Sequence, residues 1–178
     1  MIKKACISFL FIAIIFLSGI GLTSQKSGQE KEYLRIHIRA NSNLSVDQQV
    51  KYLVKDKVVE FLTPYIAECN TKQKAENMLF SNLNQIEKVA TTVLRANGFN
   101  YSVKASVKNE QFPTRYYQDL CLESGFYDAL ILELGEAQGD NWWCVVYPPL
   151  CFTGEGKNYI YKSKILDIIS DFFDKERE

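Results

Sequence analysis

Nucleophilic or proton-transfer chemistry in this chain would have to come from five cysteines and one histidine, His37. A thiolate nucleophile needs a base within hydrogen-bond reach, so the enzyme reading is Cys144 or Cys151 with His37 as its base. Nothing in the spacing brings these residues together. A single histidine excludes multi-histidine metal sites, and Cys69, Cys121, Cys144 and Cys151 do not show the two-to-four-residue spacing of a zinc site. No metal and no cofactor is expected. The other chemistry is recognition, because arginine and large aromatic side chains concentrate binding energy at interfaces. Phe112-Pro113-Thr114-Arg115 reads as a surface loop carrying both types. Trp142 and Trp143, consecutive in a strand, point to opposite faces. Either one is core and the other contact surface, or helices cover both sheet faces and both indoles are buried.

Charges balance at 21 basic and 21 acidic residues, which leaves no basic footprint for nucleic acid as a partner. Lys3 and Lys4 precede residues 5–22, which carry no charge and 14 apolar side chains. This makes residues 1–25 a signal peptide or a membrane anchor. A spanning helix needs roughly 17 to 25 apolar residues, so length alone does not separate the two. Membrane contact through residues 5–22 follows if the segment is uncleaved. In both cases the positive-inside tendency puts the rest of the chain outside the cytoplasm. Residues 26–32 form a polar tether, and 33–178 are one exported domain. Thiols outside the reducing cytosol tend to pair, so disulfides are favoured over metal. A Cys144–Cys151 bridge needs a chain reversal at Pro148-Pro149. Seven extended residues span about 23 Å, whereas a bridge holds its Cα atoms within about 7 Å. Cys121 on a neighbouring strand is the competing partner for Cys144.

The elements that must position these residues follow from periodicity. Leu34, Ile36, Ile38 and Ala40 alternate with Arg35, His37 and Arg39, the period of two of a strand with one buried face. His37 then stands on the arginine face as a solvated or partner-facing imidazole. After the turn Asn41-Ser42-Asn43, Ser45 and Gln48 have the form of a capping box. Val50, Leu53, Val54, Val58, Phe61, Leu62 and Tyr65 make one apolar helix stripe, with Lys51 outside it. A second helix starts near Asn70, capped by Asn70 and Gln73, and ends at Asn97-Gly98. Phe99 to Val107 alternates as a half-buried strand, and Leu120-Cys121-Leu122 resumes one. Tyr127–Leu134 and Trp142–Tyr147 are apolar runs of central-strand type. Tyr159–Phe173 is a closing helix. The order predicts an α+β fold: a mainly antiparallel sheet with two long N-terminal helices and a C-terminal helix.

Two stretches resemble the stage II sporulation protein R family of endospore-forming bacteria. One is Leu34-Arg35-Ile36-His37-Ile38-Arg39-Ala40-Asn41-Ser42-Asn43 with Asp47-Gln48 and Lys55-Asp56. The other is Phe112-Pro113-Thr114-Arg115, Tyr117, Gly125, Tyr127, Ala129-Leu130, Gly139, Asn141-Trp142-Trp143-Cys144-Val145 and Pro148-Pro149-Leu150-Cys151. The likeness covers roughly residues 33–152 and departs from the family's pattern at Tyr116 and Asp119. It implies a signalling protein rather than a catalyst, exported into the space between forespore and mother-cell membranes. The partner it implies is a membrane-embedded, sigma-factor-processing aspartic protease that acts as receptor. Once activated, that protease trims the pro-form of the early mother-cell sigma factor. On this reading Phe112, Arg115, Trp142 and Trp143 are the residues expected at the receptor contact.

Overall fold

Among residues of a strand, the period of two decides which side chains share a face, and among the described residues the helices take only one of those faces. The computed structural model describes residues 32–117, 120–152 and 159–177. The chain divides into two units, Met1–Glu30 and Lys31–Glu178, and the described residues belong to the second. The apolar segment 5–22, and the tether apart from Glu32, lie outside them.

Strands β1 (Leu34–Arg39), β2 (Val103–Phe112), β5 (Gly125–Leu134) and β6 (Asn141–Tyr147) form one sheet in the order β2-β5-β1-β6. Strands β3 (Arg115–Tyr117) and β4 (Leu120–Leu122) pair with each other. Among the described residues only the β1–β5 pairing is parallel; the other pairings are antiparallel. Helices α1 (Ser45–Ile66), α2 (Lys72–Ala96) and α3 (Tyr159–Lys175) complete the α+β fold, with a 3-10 turn at Leu150–Phe152. Leu34, Ile36 and Ile38 of β1 and Leu130, Leu132 and Leu134 of β5 join the main core with Val54, Val58 and Leu62 of α1 and Leu79, Ile86 and Leu94 of α2. All twelve are fully buried, each worth about 1.5–3 kcal/mol relative to exposure.

The structure changes several local expectations. Ser45 does not cap α1: Leu44 occupies the cap position with no side-chain bond, and Ser42 accepts from the Leu44 N–H instead. Thr71, not Asn70, caps α2 by accepting from the Lys74 N–H at 3.2 Å. At the other end of α2, Gly98 takes φ +83°, a region glycine enters without a Cβ penalty. Leu53 and Tyr65 stand exposed on α1, while Lys51 is buried. Its ammonium is stabilised there by donating to Gln48 Oε1 at 2.7 Å and to the Asp140 carbonyl at 2.9 Å. Strand β6 is not central; it pairs with β1 alone and lies at the sheet edge. Its apolar run reflects cover on both faces rather than neighbours on both sides.

The turn after β1 is locked to the β5–β6 loop by a polar latch. Asp47 is buried and accepts from Asn41 Nδ2 at 2.9 Å, Ser42 Oγ at 2.5 Å and the Tyr101 hydroxyl at 2.8 Å. Asn41 Oδ1 accepts from the Glu136 N–H, and Asn43 Oδ1 from the Asp140 N–H, at 2.9 and 2.6 Å. The Gly139 N–H donates to the Ala40 carbonyl at 2.9 Å. The Asn-Ser-Asn turn and the Asp47-Gln48 pair thus hold β1, α1 and β6 in register.

Candidate partner-binding site

Arg35, His37 and Arg39 leave β1 on the side away from the helices, and their neighbours across the sheet decide what they meet. His37 is paired with Ile131 of β5 and Trp143 of β6, and Arg39 with Glu133 and Asn141. The far end of β2 comes over this face. Glu110 forms ion pairs with Arg39 and, at 3.6 Å, with Lys108, and Arg39 also reaches Glu133 at 2.8 Å. Phe112, Tyr127, Ala129 and Ile131 form a second, smaller core there, with Trp143 and Tyr33 packed against it.

This cover overturns two expectations. Phe112 is fully buried, so it is a core residue rather than an exposed anchor. Its ring lies 5.7 Å from the His37 ring and 5.8 Å from that of Tyr127. His37 is 3% exposed rather than solvated, with its ring 5.1 Å from the Trp143 indole. Burial, reinforced by the Arg39 charge, holds the imidazole below its ordinary pKa of 6.5 against the opposing influence of Asn141 and Glu110. His37 Nδ1 lies 3.3 Å from Glu110 Oε1 without the alignment of a hydrogen bond.

Arg35 is fully buried, with no carboxylate paired to it among the described residues. One amine donates to the Tyr117 hydroxyl at 2.7 Å, while Nε and Nη1 have no hydrogen-bond partner among the described residues. The guanidinium instead stands 4.3 Å from the Phe112 ring centroid and 4.9 Å from that of Tyr127. Cation–π attraction in such a desolvated setting is worth about 2 kcal/mol, which offsets part of the cost of burying the charge. Sequence reasoning missed Arg35 as a structural cation. The available signal was its place beside His37 in the same alternation.

Arg115 and the two tryptophans stand at the rim. Arg115, at the start of β3, places its guanidinium 4.1 Å over the Trp143 ring, and both residues are half-exposed. Among the described residues Arg115 has no ion-pair partner. Trp142 packs on the main core and Trp143 on the smaller one, each half-buried. Neither of the two sequence alternatives describes them, because each indole is part core and part surface.

Cys144 and Cys151 are brought together as a pair, with Cα atoms 6.3 Å apart, inside the range a bridge accepts. The reversal expected at Pro148-Pro149 is present, made by the 3-10 turn at Leu150–Phe152. Cys121 is exposed on β4 and Cys69 buried, and neither pairs with another cysteine among the described residues. Cys144 belongs to the helix side of the sheet and is registered with Ile36, whereas His37 faces the other side. The sheet therefore separates His37 from Cys144, which removes the base from the cysteine-nucleophile reading. Among the described residues no group of acidic, histidine or cysteine side chains could hold a metal ion.

Peptide mapping without reduction is expected to recover Cys144 linked to Cys151. Cys121 should alkylate fast in the native protein and Cys69 only on unfolding, since burial also pushes the Cys69 thiol up. Recovery of Cys144 linked to Cys121 would overturn the pairing.

The buried ionisable groups also set a pH dependence. His37 has a depressed folded pKa, so its stabilising contribution is complete above 6.5, the unfolded value, and is lost as pH falls toward the folded value. Burial raises the Asp47 carboxyl, but the bonds from Ser42, Asn41 and Tyr101 outweigh it and the net shift is downward. Asp128 is also lowered, by Asn109 and then Lys72. Both carboxylates stabilise the fold above about pH 3.9 and cease to do so as pH falls through their folded values. Urea midpoints are expected to fall in two stages, first as pH drops below about 6.5 and again below about pH 4. A midpoint flat from pH 7 to 5 would place the imidazole in solvent.

Among the described residues, a sheet backed by helices on one face, with a polar and aromatic cluster and a rim of arginine and tryptophan on the other, defines a two-layer α+β domain. The chain belongs to the stage II sporulation protein R family. The family's sequence profile matches residues 30–157. The chain is 32% identical over 161 residues to stage II sporulation protein R of Bacillus subtilis (strain 168), an alignment covering 84% of this chain and 71% of the relative. No solved structure matches. Membership supports a role in sporulation. Among the described residues no helix is long and apolar enough to cross a membrane.

Proposed function

We propose that this protein is an exported sporulation signal that binds and activates a membrane-embedded aspartic protease, which then processes the pro-form of the mother-cell sigma factor. Its place of action is the space between the forespore and mother-cell membranes. The observation that carries the reading is Arg115 stacked on Trp143, half-exposed at the rim of the sheet face opposite α1 and α2. Arginine and tryptophan are the side chains in which interface energy concentrates, and these two lie in the stretch that carries the family likeness. Activation by binding needs no reacting group on this protein, which accords with His37 and Cys144 lying on opposite faces of the sheet.

The test is co-expression of the full chain with the candidate protease and its sigma-factor precursor in cells lacking other sporulation proteins. Processing is expected only when all three are present. Topology is checked separately: reporter fusions after Gln29 should report the outer side of the membrane, because Lys3 and Lys4 precede the uncharged run. Cytoplasmic reporter activity would end the signalling reading.

A further inference from the structure

A small cavity opens where the residue before β1, the start of α2, the end of β6 and the last turns of α3 meet. It holds about 260 Å3, just under the roughly 300 Å3 at which pockets for drug-sized ligands begin, and so suits a group the size of one side chain. Ile168, Phe172 and Tyr147 give it an apolar wall, and Glu32, Asp171 and Lys175 stand around it. Tyr147 is only 7% exposed, yet its hydroxyl has no hydrogen bond among the described residues. A buried hydroxyl is ordinarily bonded, so this one calls for a partner from outside. Burial pushes it above the ordinary tyrosine range, and the titratable neighbours that push it further, Glu32, Cys69 and Asp171, are all acids. Among the described residues neither Glu32 nor Asp171 has an ion pair. The nearby cations are committed elsewhere. Lys72 reaches Asp128 at 2.6 Å, and Lys175 lies in the last turn of α3, where a positive charge offsets the helix dipole.

We propose that this cavity binds a primary ammonium group on a short alkyl stem, with the stem against Ile168 and Phe172 and the head between Glu32, Asp171 and the Tyr147 hydroxyl. An ammonium carries three N–H donors, one for each carboxylate and one for the phenolic oxygen. An anion would meet two carboxylates instead. Among the described residues no acidic cluster is tight enough to ligate a metal ion. Hydrogen bonds from an ammonium, at about 2.7–2.9 Å, reach acceptors set further apart than metal–oxygen bonds of about 2.0–2.6 Å. The Tyr147 and Phe172 rings, edge to face at 6.0 Å, add an aromatic surface that attracts a cation. The group is supplied by a free alkylamine or by a lysine side chain of a partner protein. The inference is independent of receptor activation, since none of these residues belongs to the Arg115 rim.

The probes are n-butylamine, which is protonated at about pH 7, its anionic counterpart butyrate, and the blocked peptide acetyl-Gly-Lys-Gly-amide. Each is titrated into the isotope-labelled full chain in neutral detergent and followed by backbone amide shifts. n-Butylamine is expected to move the signals of Lys72, Tyr147 and Phe172, and not that of Trp143, with an affinity at least about tenfold above that of butyrate. The double variant Glu32→Gln, Asp171→Asn changes two exposed residues and should weaken n-butylamine about tenfold or more at unchanged circular dichroism. Tyr147→Phe keeps the ring and removes only the hydroxyl, and should cost about threefold or more in affinity. Two outcomes name the source, and both support the site. A lysine peptide that binds as well as n-butylamine points to a partner's side chain, and exclusion of the peptide while n-butylamine binds points to a free amine. No shift at about 10 mM n-butylamine, the same shifts with butyrate, or full affinity in the double variant would overturn the proposal.

Discussion

Asp47→Ala is expected to be the most damaging single substitution at the turn after β1, lowering stability by about 3 kcal/mol or more. The carboxylate is buried and is the shared acceptor for Asn41, Ser42 and Tyr101. Removing it strands three donors at once, and each buried polar group left unsatisfied costs about 1–3 kcal/mol. For a domain of this size that corresponds to a fall in Tm of roughly 6–12 °C. Gly139→Ala attacks the same latch from the β5–β6 loop. A Cβ at this position would overlap the Ser42 carbonyl and come within 2.9 Å of Ala40 Cβ. Because the obstacle is backbone, relief requires the turn and the β5–β6 loop to separate, at a cost of about 1–3 kcal/mol. Urea unfolding of both variants, followed by circular dichroism, is the measurement. Wild-type midpoints for both would mean the latch contributes nothing.

Arg115→Ala is expected to separate binding from stability. As an interface anchor the side chain would be worth about 2 kcal/mol or more, a loss of roughly thirtyfold in affinity. In the free protein its side chain stacks on Trp143. At a half-exposed site that amounts to about 0.5–1 kcal/mol, so the variant should stay folded. Sigma-factor processing on co-expression should collapse while the urea midpoint moves little. Normal processing would place the receptor contact elsewhere on the molecule. An unfolded variant would make Arg115 a brace for the β3–β4 hairpin. His37→Ala offers no comparable test of catalysis, because the imidazole is packed between Phe112 and Trp143, and truncating it opens a cavity in the smaller core.

The family's motif residues divide between these two predictions. Asn41, Ser42, Asn43, Asp47 and Gly139 are absorbed by the latch, which positions β6 against β1. Trp142 and Trp143 are what β6 then displays, with Arg115 stacked on the latter.

Alternation in the sequence suffices to place Arg35, His37 and Arg39 on one face of β1 and Leu34, Ile36 and Ile38 on the other. Helical spacing likewise suffices for α1 and α2, and the order of the elements for an α+β domain. These are local regularities, set by backbone geometry over a few residues. Whether a face is wet is not a local property. The period of two shows that His37 shares a face with two arginines, but only the long-range approach of Glu110 and Phe112 buries it. The same approach withdraws Phe112 from the surface and encloses Arg35 among aromatic rings. An apolar run such as Trp142–Tyr147 reads as a central strand because burial on both faces leaves the same mark whether or not a strand lies on each side. Strand order decides that, through pairings between segments some hundred residues apart. Likewise the register of Ile36 with Cys144 and of His37 with Trp143 puts thiol and imidazole on opposite sides of the sheet, a separation that belongs to tertiary pairing alone.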